Sequence, residues 1–430
     1  MPVMTITSSI LTGVLAILGV PLGVALGLSC TVALLIFQPI SSFEIIPQMM
    51  SVVTEEFVLT AVPLFILAGV VIEKGGMGQR LISFINSLVS WLQGGLGVAN
   101  IIGSMVFGGC SGSSLADTAC LGSILIPRMV SEGYDRNYAG AVTATSSTLA
   151  VVIPPSILLI VWAVIAEQSA ALLLVGGFLP GILITLLLLV PNYYISRKRN
   201  YGKVAKFSYK EFLKQLKPGI LPMLAPIIIL GGIMTGFFTP TEAAGVASIY
   251  ALLVTIFIYR GLTINLLAEI LVEAGKLTAG IMFIVAASRL FTWIIAWEGV
   301  PRLVSNLLLS ITHSPIVFLL LVNVLLLFAG MVLDVICALM VFTPLLLPAA
   351  IAIGVNPIHF GVIMVGNLAI GLVTPPFGAC LFSTAAVGKM SIEGIVKESL
   401  PFYGALILSL LLYTYIPQIV LFLPNLLFGR

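Results

Sequence analysis

Long apolar runs recur along this chain at Ile10–Phe37, Phe57–Ile72, Ala170–Ile195, Ile220–Phe238, Ile316–Leu333 and Pro401–Leu423. Each reaches or approaches the roughly 20 residues that span a bilayer. Backbone groups in lipid must bond internally, so these runs are expected to be helices. One large soluble core is excluded: 60% of the 430 residues are apolar and only 8% are charged, against about 25% charged in a globular domain. The expected class is an all-α polytopic membrane protein, not a soluble enzyme. The N-terminus carries no basic region and no cleavage site of the secretory type, so it reads as the start of the first crossing. Five cysteines (Cys30, Cys110, Cys120, Cys337, Cys380) lie in apolar sequence at unrelated spacings. They give neither a disulfide framework nor a metal cluster.

Charge distribution supplies a topology. Arg197, Lys198, Arg199, Lys203, Lys206, Lys210, Lys214 and Lys217 crowd one stretch whose single acid is Glu211. By the positive-inside rule the segment 197–218 is a cytoplasmic linker. Five crossings are expected before it (3–20, 21–38, 56–73, 137–166, 170–195) and five after it (219–237, 239–259, 277–297, 358–388, 400–426). Residues 94–130 and 315–351 are expected to be hairpins that enter and leave on one side. This puts Lys74, Arg80, Arg128, Arg136, Arg260, Lys276, Lys389 and Lys397 inside as well. Arg302 and Arg430 fall outside with both termini, and Arg289 lies within a span. The outer connection around 39–55 carries Glu44, Glu55 and Glu56 with no base.

Self-comparison is more specific. At an offset of 221, Gly109/Gly330, Leu125/Leu346, Pro127/Pro348, Gly133/Gly354, Gly140/Gly361, Val152/Val373, Pro154/Pro375 and Pro155/Pro376 coincide. Most are Gly or Pro, which fix backbone shape, so a chain path is repeated and not just greasiness. The repeats are 1–196 and 219–430. An odd number of crossings in each makes them inverted, the arrangement that points to a secondary transporter.

Each half has two helix breaks. One is a hairpin tip, Gly108–Ser114 and Gly330–Asp334; the other is a broken crossing ending in Pro-Pro, Ala144–Pro155 and Gly366–Pro376. Proline removes a helical bond and pushes its predecessor out of the helix, which frees carbonyls. Polar backbone at membrane depth is tolerated where it lines a cavity. Carbonyl and hydroxyl oxygens suit a hard cation, and helix N-termini suit an anion. Candidate Na+ residues are Ser111, Gly112, Ser113, Ser146 and Ser147 in one half, and Asp334, Asn367, Gly371 and Thr374 in the other. Candidate contacts to an organic anion between them are Ser114, Thr148, Pro154, Pro155, Arg289, Pro375 and Pro376. For single hydroxyls the alternative is bonding to the helix's own carbonyls.

Intramembrane charges are functional by default. Asp334 sits at the second tip; Asp117 lies below the first tip and could equally cap the helix that follows. Arg289 could meet a substrate carboxylate or pair with Glu298. Thr239-Pro240-Thr241-Glu242 reads as a structural capping box. Gly109-Cys110-Ser111-Gly112 also matches the Gly-x-Ser-Gly of intramembrane serine proteases, a remote alternative. It needs a histidine beside Ser111, whereas His313 and His359 are placed at the outer face.

Ser111-Gly112-Ser113, Ala116-Asp117, Gly122-Ser123-Ile124, Ile126-Pro127, Gly133-Tyr134-Asp135 and the Thr145–Pro155 break closely resemble one family. So do Phe238–Ala244 and the Asp334, Pro344, Pro348, Pro375-Pro376 series. The chain resembles the large membrane subunit of tripartite ATP-independent periplasmic (TRAP) transporters over nearly its whole length. The resemblance implies a scaffold holding an elevator-type transport domain with both hairpins and both broken crossings. It further implies Na+-coupled uptake in a bacterial inner membrane, a small four-helix membrane subunit as partner, and a periplasmic binding protein that delivers a carboxylate. Beyond Na+ no cofactor is expected, and no nucleic acid. In the family the position of Arg289 is usually small or apolar. A stand-alone anion permease on the same fold is the alternative.

Overall fold

The computed structural model describes residues 2–39, 43–202 and 208–429. Lys203 and Lys206 of the basic linker, and Arg430, lie outside the described residues. Those described form 21 α-helices, a short 3-10 helix at Phe57–Thr60 and a π-helical stretch at Val254–Ile258, with no strand among them. Eight helices are long and apolar enough to cross a membrane: Phe57–Lys74, Ala170–Lys198, Tyr209–Met234, Pro240–Ile258, Ile264–Trp297, Pro315–Val332, Val335–Ala352 and Ile392–Tyr415. The pair Arg136–Val152 and Ile157–Ile165, bent by 43°, makes a ninth span if taken as one. The chain is an all-helical, polytopic membrane protein.

Several expected crossings change length. Val3–Ile17 and Leu22–Phe37 have 15 and 16 residues, about 22–24 Å at 1.5 Å per residue against a core of about 30 Å. Gly19 at φ +84° and Pro21 turn the chain between them. The segment expected at 219–237 belongs to a helix that starts earlier and ends sooner, Tyr209–Met234, and 277–297 is the C-terminal part of the longer helix Ile264–Trp297. The segment 400–426 splits into Ile392–Tyr415 and Gln418–Phe428, because Pro417 offers no N–H and holds Ile416 in an extended conformation. Among the described residues of the basic linker, 197–198 and 209–218 are helical. One helix runs to Lys198 and the next starts at Tyr209, where Ser208 accepts from the Glu211 N–H at 3.3 Å.

The helices break at both expected tips and at both Pro-Pro segments, and the two arms of the second hairpin are each long and apolar enough to cross a membrane. The first hairpin is Gly95–Ser111 and Ser114–Ser131; the second is Pro315–Val332 and Val335–Ala352. The first broken helix is Arg136–Ser146, Leu149–Val152 and Ile157–Ile165; the second is Pro357–Gly371 and Ala379–Gly388. Gly133 and Gly354, at φ +90° and +88°, turn each hairpin into its broken helix. The side chains of Asp135 and Asn356 then cap the helix starts by accepting backbone N–H bonds at 3.0 and 2.9 Å. Gly76 and Gly299, also at positive φ, precede the amphipathic helices Met77–Val89 and Val300–Ile311. Element order thus recurs along the chain.

Packing gathers the elements into two groups. Val3–Ile17, Leu22–Phe37, Ile45–Glu55 and Ala61–Lys74 lie against Ile264–Trp297, and Ala61–Lys74 also lies against Pro240–Leu253. Gly95–Ser111 and both broken helices pack against Ala170–Lys198 or Ile392–Tyr415, whereas the second hairpin packs on Pro357–Gly371 and, through Val335–Ala352, also on Ile264–Trp297 and Val300–Ile311, bridging the two groups. A small apolar core of Leu26, Cys30, Leu34, Leu290, Phe291 and Ile294 seals the first group. Glu298 ends that wall by accepting from the Met4 and Thr5 N–H groups, both at 2.8 Å.

Candidate functional site

Each hairpin tip is seated on a broken helix by glycine. A Cβ on Gly112, which lies at φ +61°, would come 2.7 Å from the Pro155 carbonyl oxygen and 3.2 Å from the Ile157 nitrogen. A Cβ on Gly371 would fall 2.4 Å from the Gly330 carbonyl carbon. These approaches are open only to residues without a side chain. Phe377 N–H donates to the Met331 carbonyl at 3.3 Å, tying the second break to its tip. Both Pro-Pro bonds, Pro154-Pro155 and Pro375-Pro376, are cis.

The breaks do not leave every freed carbonyl open. Ser156 Oγ donates to the Val151 carbonyl at 2.5 Å and accepts from Leu159 N–H, and Tyr403 Oη donates to the Val373 carbonyl at 2.6 Å. Sequence reasoning missed both partners. Tyr403 lies on another helix, so only the Pro-Pro register hinted at the need.

The candidate Na+ residues lie at the tip and the break of each half. In the first half Ser111 is buried at the end of its hairpin arm, and Ser113 caps the next helix by accepting from Ala116 N–H at 3.4 Å. Ser146 Oγ lies 2.9 Å from Ser104 Oγ and 3.4 Å from Asn100 Oδ1. Ser147 and Thr148 donate to carbonyls of their own helix, both at 2.7 Å, and keep lone pairs free. In the second half Asn367 Nδ2 donates to the Asn323 carbonyl and to Asn323 Oδ1, both at 2.9 Å, while its buried Oδ1 has no partner. Thr374 bonds back to Ile370 at 2.7 Å. Asp334 is an N-cap: Oδ1 alone accepts from Ile336 N–H at 2.9 Å and Cys337 N–H at 3.3 Å, so Oδ2 remains available. Asp117 is fully buried in the first turn after the first tip. It does not cap that helix, and its carboxylate meets the nearby Ser104 hydroxyl without a well-formed hydrogen bond.

A chamber of about 600 Å³ joins the two tips. One side carries Gly112, Ser113, Ser114 and Ala116 from the first tip, Asp334 and Ile336 from the second, and Val151, Ile157 and Leu372 from the breaks. The opposite side is Glu73 and a face of Ile264–Trp297: Glu273, Lys276, Leu277, Gly280, Ile281 and Ile284. Ser114 is 2% exposed and its Oγ has no partner. It begins an 18-residue helix whose positive end faces the chamber. The arrangement offers N–H and hydroxyl donors to an anion beside oxygen clusters for small cations.

Among the anion candidates, Ser114 lines the chamber, while Thr148, Pro154, Pro155, Pro375 and Pro376 form the breaks behind it. Arg289 does not line it. Its guanidinium lies 3.6 Å from Glu56, and Glu298 is occupied with the first helix instead. Thr239 and Glu242 form the expected capping box, Thr239 N–H to Glu242 Oε2 at 2.8 Å and Glu242 N–H to Thr239 Oγ1 at 3.3 Å. His359 Nε2 bonds the Tyr413 carbonyl at 2.8 Å. The sequence reading overlooked Glu73, Glu273 and Lys276 as chamber residues. The signal was present in the helical spacing of 273, 277, 280, 281 and 284.

Residues 10–419 match the family model described as the tripartite ATP-independent periplasmic transporter, DctM component. The C4-dicarboxylate TRAP transporter large permease protein DctM of Vibrio cholerae is 37% identical, with 96% of each chain covered. The sialic acid TRAP transporter large permease protein SiaM of the same organism is 38% identical, again with 96% of each covered. The crystal structure of the Alcanivorax borkumensis YdaH transporter aligns with a TM-score of 0.61 at 14% identity, covering 91% of this chain and 90% of that one. That likeness concerns the fold. The chain belongs to the DctM family, the large permease subunits of tripartite ATP-independent periplasmic transporters.

Proposed function

We propose that this subunit carries an organic anion, a carboxylate, into the cell on an inward Na+ gradient. The chamber carries the reading: it brings both tips together, and the unpartnered Ser114 hydroxyl marks a helix N-terminus aimed into it. The oxygens of Ser111, Ser113, Ser146 and Ser147 would hold one Na+. Asp334 Oδ2, Asn367 Oδ1, Thr374 and the backbone at Gly371 would hold another. With both ions bound, each tip is held against its break and the positive helix end is left to the carboxylate.

The 1–196 and 219–430 units would be inverted repeats. Hairpins and broken helices would ride as one body against the wall built on Ile264–Trp297, with segment 197–218 in the cytoplasm and both termini in the periplasm. The membrane would be the bacterial inner membrane. A small four-helix membrane subunit and a periplasmic binding protein that delivers the acid would complete the machine; relatives are named for C4-dicarboxylates and for sialic acid.

The test is reconstitution in liposomes with and without these partners. Uptake should require a Na+ gradient together with the loaded binding protein. Equal uptake by this chain alone would replace the reading with a stand-alone permease.

A further inference from the structure

Four ionisable side chains line the chamber: Glu73, Glu273, Lys276 and Asp334. Glu273 is held by Lys74 at 2.5 Å, and Lys74 also grips Glu269. Asp334 caps its helix through Oδ1. Lys276 is the one cation in the lining, and among the described residues its ammonium makes no ion pair or hydrogen bond. The lining as a whole is therefore net acidic. Such a chamber does not store an anion; an anion is stable in it only beside a local positive feature.

There are two such features in the lining. One is the helix start at Ser114 on the tip side. The other is Lys276 on the wall side. Lys276 and Glu273 also line a second space, a groove of about 490 Å³ with Ala268, Glu269 and Val272. The wall helix is therefore ordered along its length. Leu277, Ile281 and Ile284 lie in the chamber, Lys276 and Glu273 at its limit, and the groove beyond toward the helix N-terminus. Gly280, one turn from Lys276, has no atom within 4 Å of where a Cβ would stand, so the wall above the ammonium is open.

A carboxylate leaving the tips along this wall meets a full positive charge at the boundary between the two spaces. That charge outweighs the partial charge of a helix terminus, roughly half an elementary charge. Beyond it lie the acids Glu269 and Glu273, whose charge Lys74 partly neutralises, and solvent.

We propose that Lys276 is an outlet-side guide: it draws the cargo's carboxylate off the hairpin tips and passes it to the groove. This rests on the organic-anion reading above. It predicts that Lys276 acts on turnover and not on capture, because delivery from outside ends at the tips.

The experiment uses the complete three-component transporter in proteoliposomes. The probe is whichever of radiolabelled succinate or N-acetylneuraminate the wild type takes up faster. Lys276→Gln should lower the maximal rate about tenfold, the weight of one favourable charge contact in a partly dry site, with half-saturation by loaded binding protein unchanged within about twofold. Lys276→Arg should keep at least about half the wild-type rate, since the charge is retained. Lys276→Cys should recover on labelling with a positively charged aminoethyl thiosulfonate and not with a sulfonate reagent of similar size. A Lys276→Gln rate within about twofold of wild type, or an arginine variant as slow as the glutamine one, overturns the proposal. If the wild type takes up neither acid, the organic-anion reading falls first and takes this inference with it.

Discussion

Gly371→Ala is the sharpest single perturbation of the proposed second Na+ site. An added Cβ would lie 2.4 Å from the Gly330 carbonyl carbon and 2.6 Å from both its Cα and its oxygen, where ordinary contact begins at 3.4 Å. All three obstructing atoms are backbone, so no rotamer relieves the overlap. The tip must back away from the break by about 1 Å, a shift that overpacking data value at about 1–3 kcal/mol. It would displace the Gly371 backbone from the second tip and so from the ligand set proposed there, and misplacement by about 1 Å can cost about 100-fold where several groups must converge. The assay is uptake against Na+ concentration, paired with thermal unfolding of the purified complex. Gly371→Ala should raise the half-saturating Na+ concentration at least tenfold, or remove saturation, on the same scale. Gly330→Ala, whose Cβ would sit 3.3 Å from Gly371 Cα and from a flexible Leu368 carbon, should do much less. Gly404→Ala, with no atom within 4 Å, should leave Na+ dependence unchanged and stabilise the helix by about 0.5–1 kcal/mol. Wild-type Na+ dependence in Gly371→Ala, or a larger defect in Gly330→Ala, would refute the seating of tip on break.

Three more outcomes are expected. Ser114→Ala removes a hydroxyl that has no partner in the protein, so unfolding temperature should hold while the half-saturating substrate concentration rises about three- to tenfold, as for one lost hydrogen bond of about 0.5–1.5 kcal/mol; a thermal loss without an affinity change would contradict it. Asn367→Ala should weaken Na+ dependence more than Ser147→Ala, read from Na+ titrations, because Asn367 Oδ1 is unpartnered whereas Ser147 already bonds Ala144. Thr239→Ala breaks a helix cap and should cost about 0.5–2 kcal/mol in thermal stability with both half-saturation constants unchanged.

The candidate site was legible wherever glycine and proline made it, and obscure wherever two distant helices made it. Gly109, Gly330 and the Pro-Pro pairs fix backbone path through local chemistry, so an offset of 221 residues located both tips and both breaks. Asp334 shows the limit of residue type. The same carboxylate caps a helix through Oδ1 and leaves Oδ2 free, two roles that no pattern separates. The partner of Arg289 was a question of distance in space: Glu298, nearer in sequence, turns to the first helix, and Glu56 meets the guanidinium. The chamber's far wall was hidden for a related reason. The expected crossing began at 277, which left Lys276 in a loop, but the helix starts at Ile264 and continues the same face through Glu273 and Glu269. Charged residues at the end of an apolar run extend a membrane helix as readily as they end one when water reaches that face. On the proposed path the face turned to the tips is what an anion would meet on its way out, so residues that hydropathy discards as a boundary would be those that guide the cargo.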